Sequence, residues 1–234
     1  MKTPHSSALA FLVHSQKISK AEARIHILQG NLQINGQPAQ LKQAIDPSDT
    51  IHFLGQVIKS PQSFLYVLYH KPRGIECTLN TAIPDNLADA LPFSDKLFPV
   101  GRLDKDSEGL LLLTNDGRMY NHITHSASDR EKEYLVEVDK PLTDHALDAL
   151  RNGVKIMGQL TRPALVTQIS ATSFRIILTQ GLNRQIRRMC YKLGYEVLRL
   201  KRTRIHVLTL GALAPAHYRS LSSTEVKALY DSLT

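Results

Sequence analysis

Three carboxylates at alternate positions, Asp104, Asp106 and Glu108, stand just before Gly109 in the segment GRLDKDSEGLLLLT, residues 101–114. Alternating oxygen ligands with glycine in sixth place form the front half of a calcium loop. In such a loop the glycine makes the sharp turn and a bidentate glutamate at position twelve completes the coordination. Position twelve here is Asn115. The residues between are four consecutive leucines, Leu110 to Leu113, a run that suits a strand buried on both faces better than a ligand loop leading into a surface helix. No metal is expected, and an acidic turn placed directly before a core strand needs another use.

A second segment with chemical potential is QGLNRQIRRMCYKLG, residues 180–194. Laid on a helix from Asn183, the residues Ile186, Met189, Cys190 and Leu193 share one stripe and face the core. At ~100° per residue, Arg188 and Lys192 lie opposite or well away from that stripe, while Arg187 lies just outside its Cys190 edge. Arg187 is therefore the arginine expected to be partly buried. A partly buried guanidinium needs an anion, because an unpaired buried charge is strongly destabilising. Asp104 is a candidate, although spacing alone does not bring the two together. His122 and His125 lie three apart with no third ligand type nearby, and read as helix-surface or core positions.

The elements that must position these groups follow from composition and pattern. The chain has 234 residues, 42% hydrophobic and 21% charged, which suits a globular protein of one medium domain or two unequal ones. No apolar run reaches the ~18 residues of a membrane span, and the opening MKTPHSSALAFLVHSQ shows no export signal, so no membrane association is expected. Cys77 and Cys190 are too few for a disulfide framework or a zinc site, which makes a reducing cytoplasm the expected compartment and packing their expected role. A net charge of +8 points to a polyanionic partner, provided the basic residues cluster.

In SKAEARIHIL, residues 19–28, Ser19 caps a helix with Glu22 three positions on, and Asn35-Gly36 makes a tight hairpin turn. The spacing predicts a small helix-hairpin unit over residues 1–54, a linker over 55–63 in the polar stretch GQVIKSPQS, and a larger unit over 64–234. There, strands are expected at 64–71, 109–114, 133–138, 173–179 and 195–200, and helices at 143–151, 183–193 and 223–233. The last helix starts with a Ser222/Glu225 capping box. The fold class is α+β with a mixed sheet.

Two resemblances build on these motifs. SKAEARIHILQGNLQINGQ resembles the alpha-L RNA-binding domain, which implies phosphate contacts from Lys17, Lys20 and Arg24. GRLDKDSEGLLLLTNDG, with NRQIRRMC and HKPRG at 70–74, resembles the pseudouridine synthases, specifically the RsuA family, which isomerises single uridines in ribosomal RNA and carries an alpha-L domain. EKEYLVEVDKP at 131–141 points to the members acting on large-subunit RNA. The resemblance implies that Asp104 is the catalytic residue, that Arg187 pairs with it, and that Tyr134 stacks on the uracil. It further implies that Arg102 fills the gap left by the flipped base, and that Lys71, Lys132, Arg184 and Arg188 contact RNA or brace the site. Asp106 and Glu108 are expected to face solvent or form the turn. No cofactor is implied, because the isomerisation involves no net redox change, and a monomer is expected. Alternatives are a synthase for small-subunit or transfer RNA and a non-catalytic assembly factor. The intact G-R-L-D disfavours the last, since a pure binder has no need of the aspartate.

Overall fold

The computed structural model describes residues 7–61, 63–92, 96–124 and 130–232; the His122 and His125 side chains lie outside the described residues. The chain divides at residue 63 into two compact units, each with its own core.

The first unit contains α1 (Ala8–Gln16), α2 (Lys20–Leu28), β1 (Leu32–Ile34), β2 (Gln37–Pro38), β3 (Ile51–Phe53) and β4 (Gln56–Lys59). Its four strands form a sheet in the order β2-β1-β3-β4. The Ser19 hydroxyl accepts from the Glu22 amide at 3.2 Å and starts α2, as the capping pattern requires. Asn35 and Gly36 both take positive φ, 53° and 80°, and turn β1 back on β2. Leu12, Ala23, Ile27, Leu32 and Ile51 close the core between the helices and the sheet. The structure corrects the expected linker at 55–63. Leu54 and Gly55, at φ 50° and 81°, make a second tight turn, and residues 56–59 return as β4, paired antiparallel with β3. This polar segment is an edge strand with Gln56 and Val57 exposed, which is why its composition reads as a loop.

The second unit begins with β5 (Tyr66–Lys71), α3 (Leu87–Ala90), β6 (Phe98–Val100), β7 (Glu108–Thr114) and α4 (Gly117–Thr124). It continues through β8 (Lys132–Val138), α5 (Asp144–Asn152), the hairpin of β9 (Lys155–Ile156) and β10 (Gln159–Leu160), β11 (Leu165–Ser170) and β12 (Ser173–Leu178). It ends with α6 (Gln185–Lys192), β13 (Val197–Ile205), β14 (Leu208–Thr209), β15 (Tyr218–Ser220) and α7 (Ser223–Asp231). A nine-stranded mixed sheet runs β11-β12-β8-β13-β7-β5-β15, with β14 beside β13 and β6 beside β7. This is the α+β architecture with a mixed sheet that the pattern predicts.

All seven residues of β7 are buried. Leu110 and Leu112 pack with Met119 and Ile123 of α4 and Leu229 of α7, whereas Leu111 and Leu113 pack on the opposite face with Leu87 of α3 and Cys77. Alternate side chains of an extended strand point to opposite faces, so a strand covered on both sides must be apolar throughout. A third cluster joins Leu147 and Leu150 of α5 and Ile186, Met189 and Cys190 of α6 to the β8 and β12 side of the sheet. Several elements depart from the sequence reading, which did not anticipate α3, β6, β9, β10, β11, β14 or β15. Helix α4 was not anticipated, and β13 extends to Ile205 because LRLKRTRI, whose charges suggest the end of a strand, stays hydrogen-bonded to β8 along its length.

The halves of the sheet meet at one place. β13 and β7 are its parallel neighbours, in register at Lys201 with Glu108 and at Arg202 with Gly109. Gly109 has φ 111°, and a Cβ there would lie 2.3 Å from the Arg202 carbonyl oxygen. Only glycine allows that approach.

Candidate active site

The acidic turn lies between β6 and β7, at the junction of the two half-sheets. Leu103 is buried and anchors it, and the Ser107 amide donates to the Asp104 carbonyl at 3.0 Å, closing a four-residue turn. Two cations grip its backbone. Lys71, wholly buried, donates from Nζ to the carbonyls of Pro72 (2.9 Å), Ile75 (2.6 Å) and Lys105 (3.3 Å). Arg187 donates from one terminal nitrogen to the Val197 carbonyl at 2.9 Å and from the other to the Asp106 carbonyl at 3.0 Å. The turn is thus held through the main-chain oxygens of Lys105 and Asp106, which directly follow Asp104, leaving its carboxylate to face a cleft of about 410 Å³.

That carboxylate is 27% exposed, and its cationic neighbour is Arg184, at 3.7 Å; Arg184 also stands 3.8 Å from Asp106. The structure therefore corrects the expected pairing of Asp104 with Arg187. Arg184 precedes α6 in the left-handed region, φ 51°, so its direction follows the loop rather than the helical wheel. Arg187 has the partly buried position that its phase predicts, but its fork is spent on carbonyls. Burial lowers its pKa, and the Arg184 charge lowers it further.

The far wall comes from β8 and β13. Tyr134 and Lys132 alternate onto one face of β8, and Arg202 lies across from Tyr134 in register. Ile186 of α6, Leu178 of β12, and Tyr120 and Ile123 of α4 complete an apolar lining. Lys132 donates to the Arg130 carbonyl at 3.0 Å, and its pKa is lowered by burial and then by the nearby Arg202 charge. Arg102 is exposed at the cleft mouth. A half-enclosed pocket with one carboxylate, two tyrosine rings and several cations suits a flat polar heterocycle carried on a phosphate chain.

Other predicted residues fall elsewhere. Lys17, Lys20 and Arg24 are exposed in the first unit. Lys71 is not available to phosphate: its three donors are taken, and burial pulls its pKa down to about 8. Arg188 is exposed and folds back on Asn183, donating to its carbonyl at 3.0 Å and its side-chain oxygen at 3.1 Å. Glu108 does not face solvent. It is buried and accepts from Arg199 at 2.6 Å, a partner 91 residues away. Asp106 is exposed, and Cys77 and Cys190 are free thiols packed in separate cores, with burial pushing Cys190 up to about 12.

The sequence reading missed Arg202, which lines the cleft and is only 3% exposed. It donates to the Leu110 carbonyl at 2.8 Å and the Arg102 carbonyl at 3.4 Å, tying β13 to the turn, and one terminal nitrogen has no hydrogen-bond partner. Its signal was its position two residues after Leu200, in phase with an inward face.

Residues 65–192 match the family model described as RNA pseudouridylate synthase. The dual-specificity RNA pseudouridine synthase RluF of Escherichia coli O6:H1 is 41% identical over 222 residues, covering 94% of this chain and 77% of that protein. The ribosomal small subunit pseudouridine synthase A of Escherichia coli K12 is 31% identical over 228 residues, covering 94% and 97%. A crystal structure of a pseudouridylate synthase aligns at TM-score 0.67 and 27% identity over 95% of this chain and 99% of that one. A family model spanning more than half of the chain, and relatives above 30% identity along nearly all of it, establish that this chain belongs to the RNA pseudouridine synthases, a family of isomerases.

Proposed function

We propose that this enzyme converts uridine to pseudouridine in ribosomal RNA, of the large subunit, with Asp104 as its catalytic carboxylate. The observation that carries the reading is the construction of the turn: the buried Lys71 and the half-buried Arg187 hold its main chain while the Asp104 carboxylate is left facing the cleft beside Arg184. The reaction breaks the bond from N1 to C1′, turns the base, and forms a bond from C5 to C1′; the C5 proton leaves and N1 gains one. A carboxylate can serve by attacking C1′, by removing the C2′ proton, or by adding at C6. Tyr134 stacks on the uracil, and Arg102 enters the space that the flipped nucleotide vacates. The first unit is an alpha-L RNA-binding domain whose exposed Lys17, Lys20 and Arg24 contact phosphate.

Ribosomal RNA is supported by the small-subunit synthase among the relatives, and the large subunit by the resemblance of EKEYLVEVDKP at 131–141 to the members acting on large-subunit RNA. The free, buried cysteines suit a cytoplasmic location. The deciding assay is tritium release from 5-tritiated uridine in unmodified large- and small-subunit transcripts, with filter binding in parallel. Wild-type protein is expected to release tritium from the large-subunit transcript, and Asp104→Asn to bind it with unchanged salt dependence but release none. Normal release by Asp104→Asn refutes the catalytic assignment, and release from the small-subunit transcript alone refutes the substrate.

A further inference from the structure

A second cavity, about 500 Å³, opens on the other side of α6 and shares Arg184 with the catalytic cleft. Its charge is one-sided. Arg184, Arg187, Arg188 and Lys192 line it against a single carboxylate, Glu196. Its rim carries Tyr191, 79% exposed, and Met157, 60% exposed, at the tip of the β9–β10 hairpin. Tyr195 and Val197 are buried and form the floor.

The spacing explains the arrangement. Arg188, Tyr191 and Lys192 recur at three- and four-residue intervals, so they share the face of α6 opposite to Ile186, Met189 and Cys190, while Arg184 reaches the cavity from the loop before the helix. Among the described residues no side-chain hydrogen bond, ion pair or ring contact engages Tyr191 or Lys192. A large ring left in solvent among cations has no use in the fold, since exposure forgoes the stabilisation that burial would bring. Basic side chains interleaved with an unstacked aromatic ring form the usual surface for single-stranded nucleic acid: cations follow the phosphates and the ring stacks on a base.

We infer that this cavity is a second RNA subsite, in which Tyr191 stacks on the base of an unpaired nucleotide flanking the target uridine while Arg188 and Lys192 hold its phosphate. The inference rests on the RNA reading above. The occupant is RNA because the cavity is continuous with the catalytic cleft through Arg184, and because four cations against one carboxylate suit a polyanion. Seven residues of helix, ~10 Å, separate Arg184 from Tyr191, which places the stacked base beyond the reacting one.

The chain contains no tryptophan, so Tyr191→Trp introduces a fluorophore with no tryptophan background. Octauridylate is expected to quench its emission, with quenching that weakens as salt rises, whereas inorganic tripolyphosphate and polyglutamate should leave the emission unchanged. Tyr191→Ala is expected to raise the Kd for octauridylate, and the KM for the large-subunit transcript, about 5- to 150-fold, the range for loss of one base–aromatic stack. Tyr191→Phe, which keeps the ring, restores the affinity. The high exposure of Tyr191 keeps these variants folded, which thermal unfolding checks. If wild-type protein releases tritium but Tyr191→Ala has wild-type affinity and Tyr191→Trp is not quenched by octauridylate, the subsite is wrong and the proposed function stands. Quenching by polyglutamate but not by octauridylate overturns the inference in favour of an acidic protein partner. Absence of tritium release by wild-type protein from either transcript sinks the underlying function instead.

Discussion

Replacing Gly109 by alanine adds one methyl group at the single point where the two half-sheets join. The new Cβ would lie 2.3 Å from the Arg202 carbonyl oxygen, 2.6 Å from its nitrogen and 2.9 Å from its carbonyl carbon, all main-chain atoms of β13. Ordinary contact begins near 3.4 Å, so the strands must part by about 1 Å, a shift that no side-chain rotation can absorb. The positive φ of 111° adds backbone strain of ~1–3 kcal/mol, and overpacking in a closed core costs a similar ~1–3 kcal/mol. A loss of about 4 kcal/mol lowers Tm by roughly 8–16 °C for a chain of this size. Calorimetry measures that fall, and Gly36→Ala is the control. It has φ 80° with nothing within 4 Å of its Cβ, so strain alone applies, about 1 kcal/mol. Because the Asp104 turn leads directly into Gly109 and Arg202 ties the same strands to it, single-turnover release of tritium by Gly109→Ala should also fall at temperatures where the protein remains folded. A Gly109→Ala protein that unfolds within 2 °C of wild type and turns over normally would refute the junction argument.

Arg184 and Arg187 separate by assay. Arg184→Ala removes an exposed cation 3.7 Å from Asp104 and is expected to slow single-turnover chemistry about five- to tenfold with little change in Tm, in line with on the order of 1 kcal/mol for such a pair. Arg187→Ala strands two carbonyl acceptors and is expected to cost ~2–4 kcal/mol of stability by urea unfolding; the reverse pattern would exchange their roles. Glu225 offers a pH test. The bidentate Arg219 fork holds its carboxylate at about 2 against an ordinary 4.5, so its contribution is present above pH 4.5 and disappears as pH falls toward 2. Since Arg219 is 40% exposed, solvent screening reduces that contribution to ~1 kcal/mol. Glu225→Gln should melt ~2–4 °C lower at pH 7, with the gap narrowing below pH 4.5; a gap independent of pH contradicts the assignment.

Much of this architecture was legible locally, because short-range pattern encodes burial and capping. The leucine run at 110–113 specified a strand covered on both faces, and the Ile186, Met189, Cys190 stripe specified the inward side of α6. The caps at Ser19 and Ser222 and the Asn35-Gly36 turn each depend on residues within three or four positions, and each formed as read. What pattern could not decide was who meets whom. The helical wheel placed Arg187 at the edge of the core, but the atoms waiting there were the carbonyls of Val197 and Asp106; the neighbour of Asp104 is Arg184, outside the helix and so outside any argument from its period. Glu108 found Arg199, Gly109 was required by the backbone of Arg202, and Lys71 was withdrawn from the surface by three carbonyls brought together by the turn. Periodicity constrains only the direction in which a side chain leaves its own element. The partner at the end of that direction belongs to another stretch of chain, and its identity exists only once the sheet has closed.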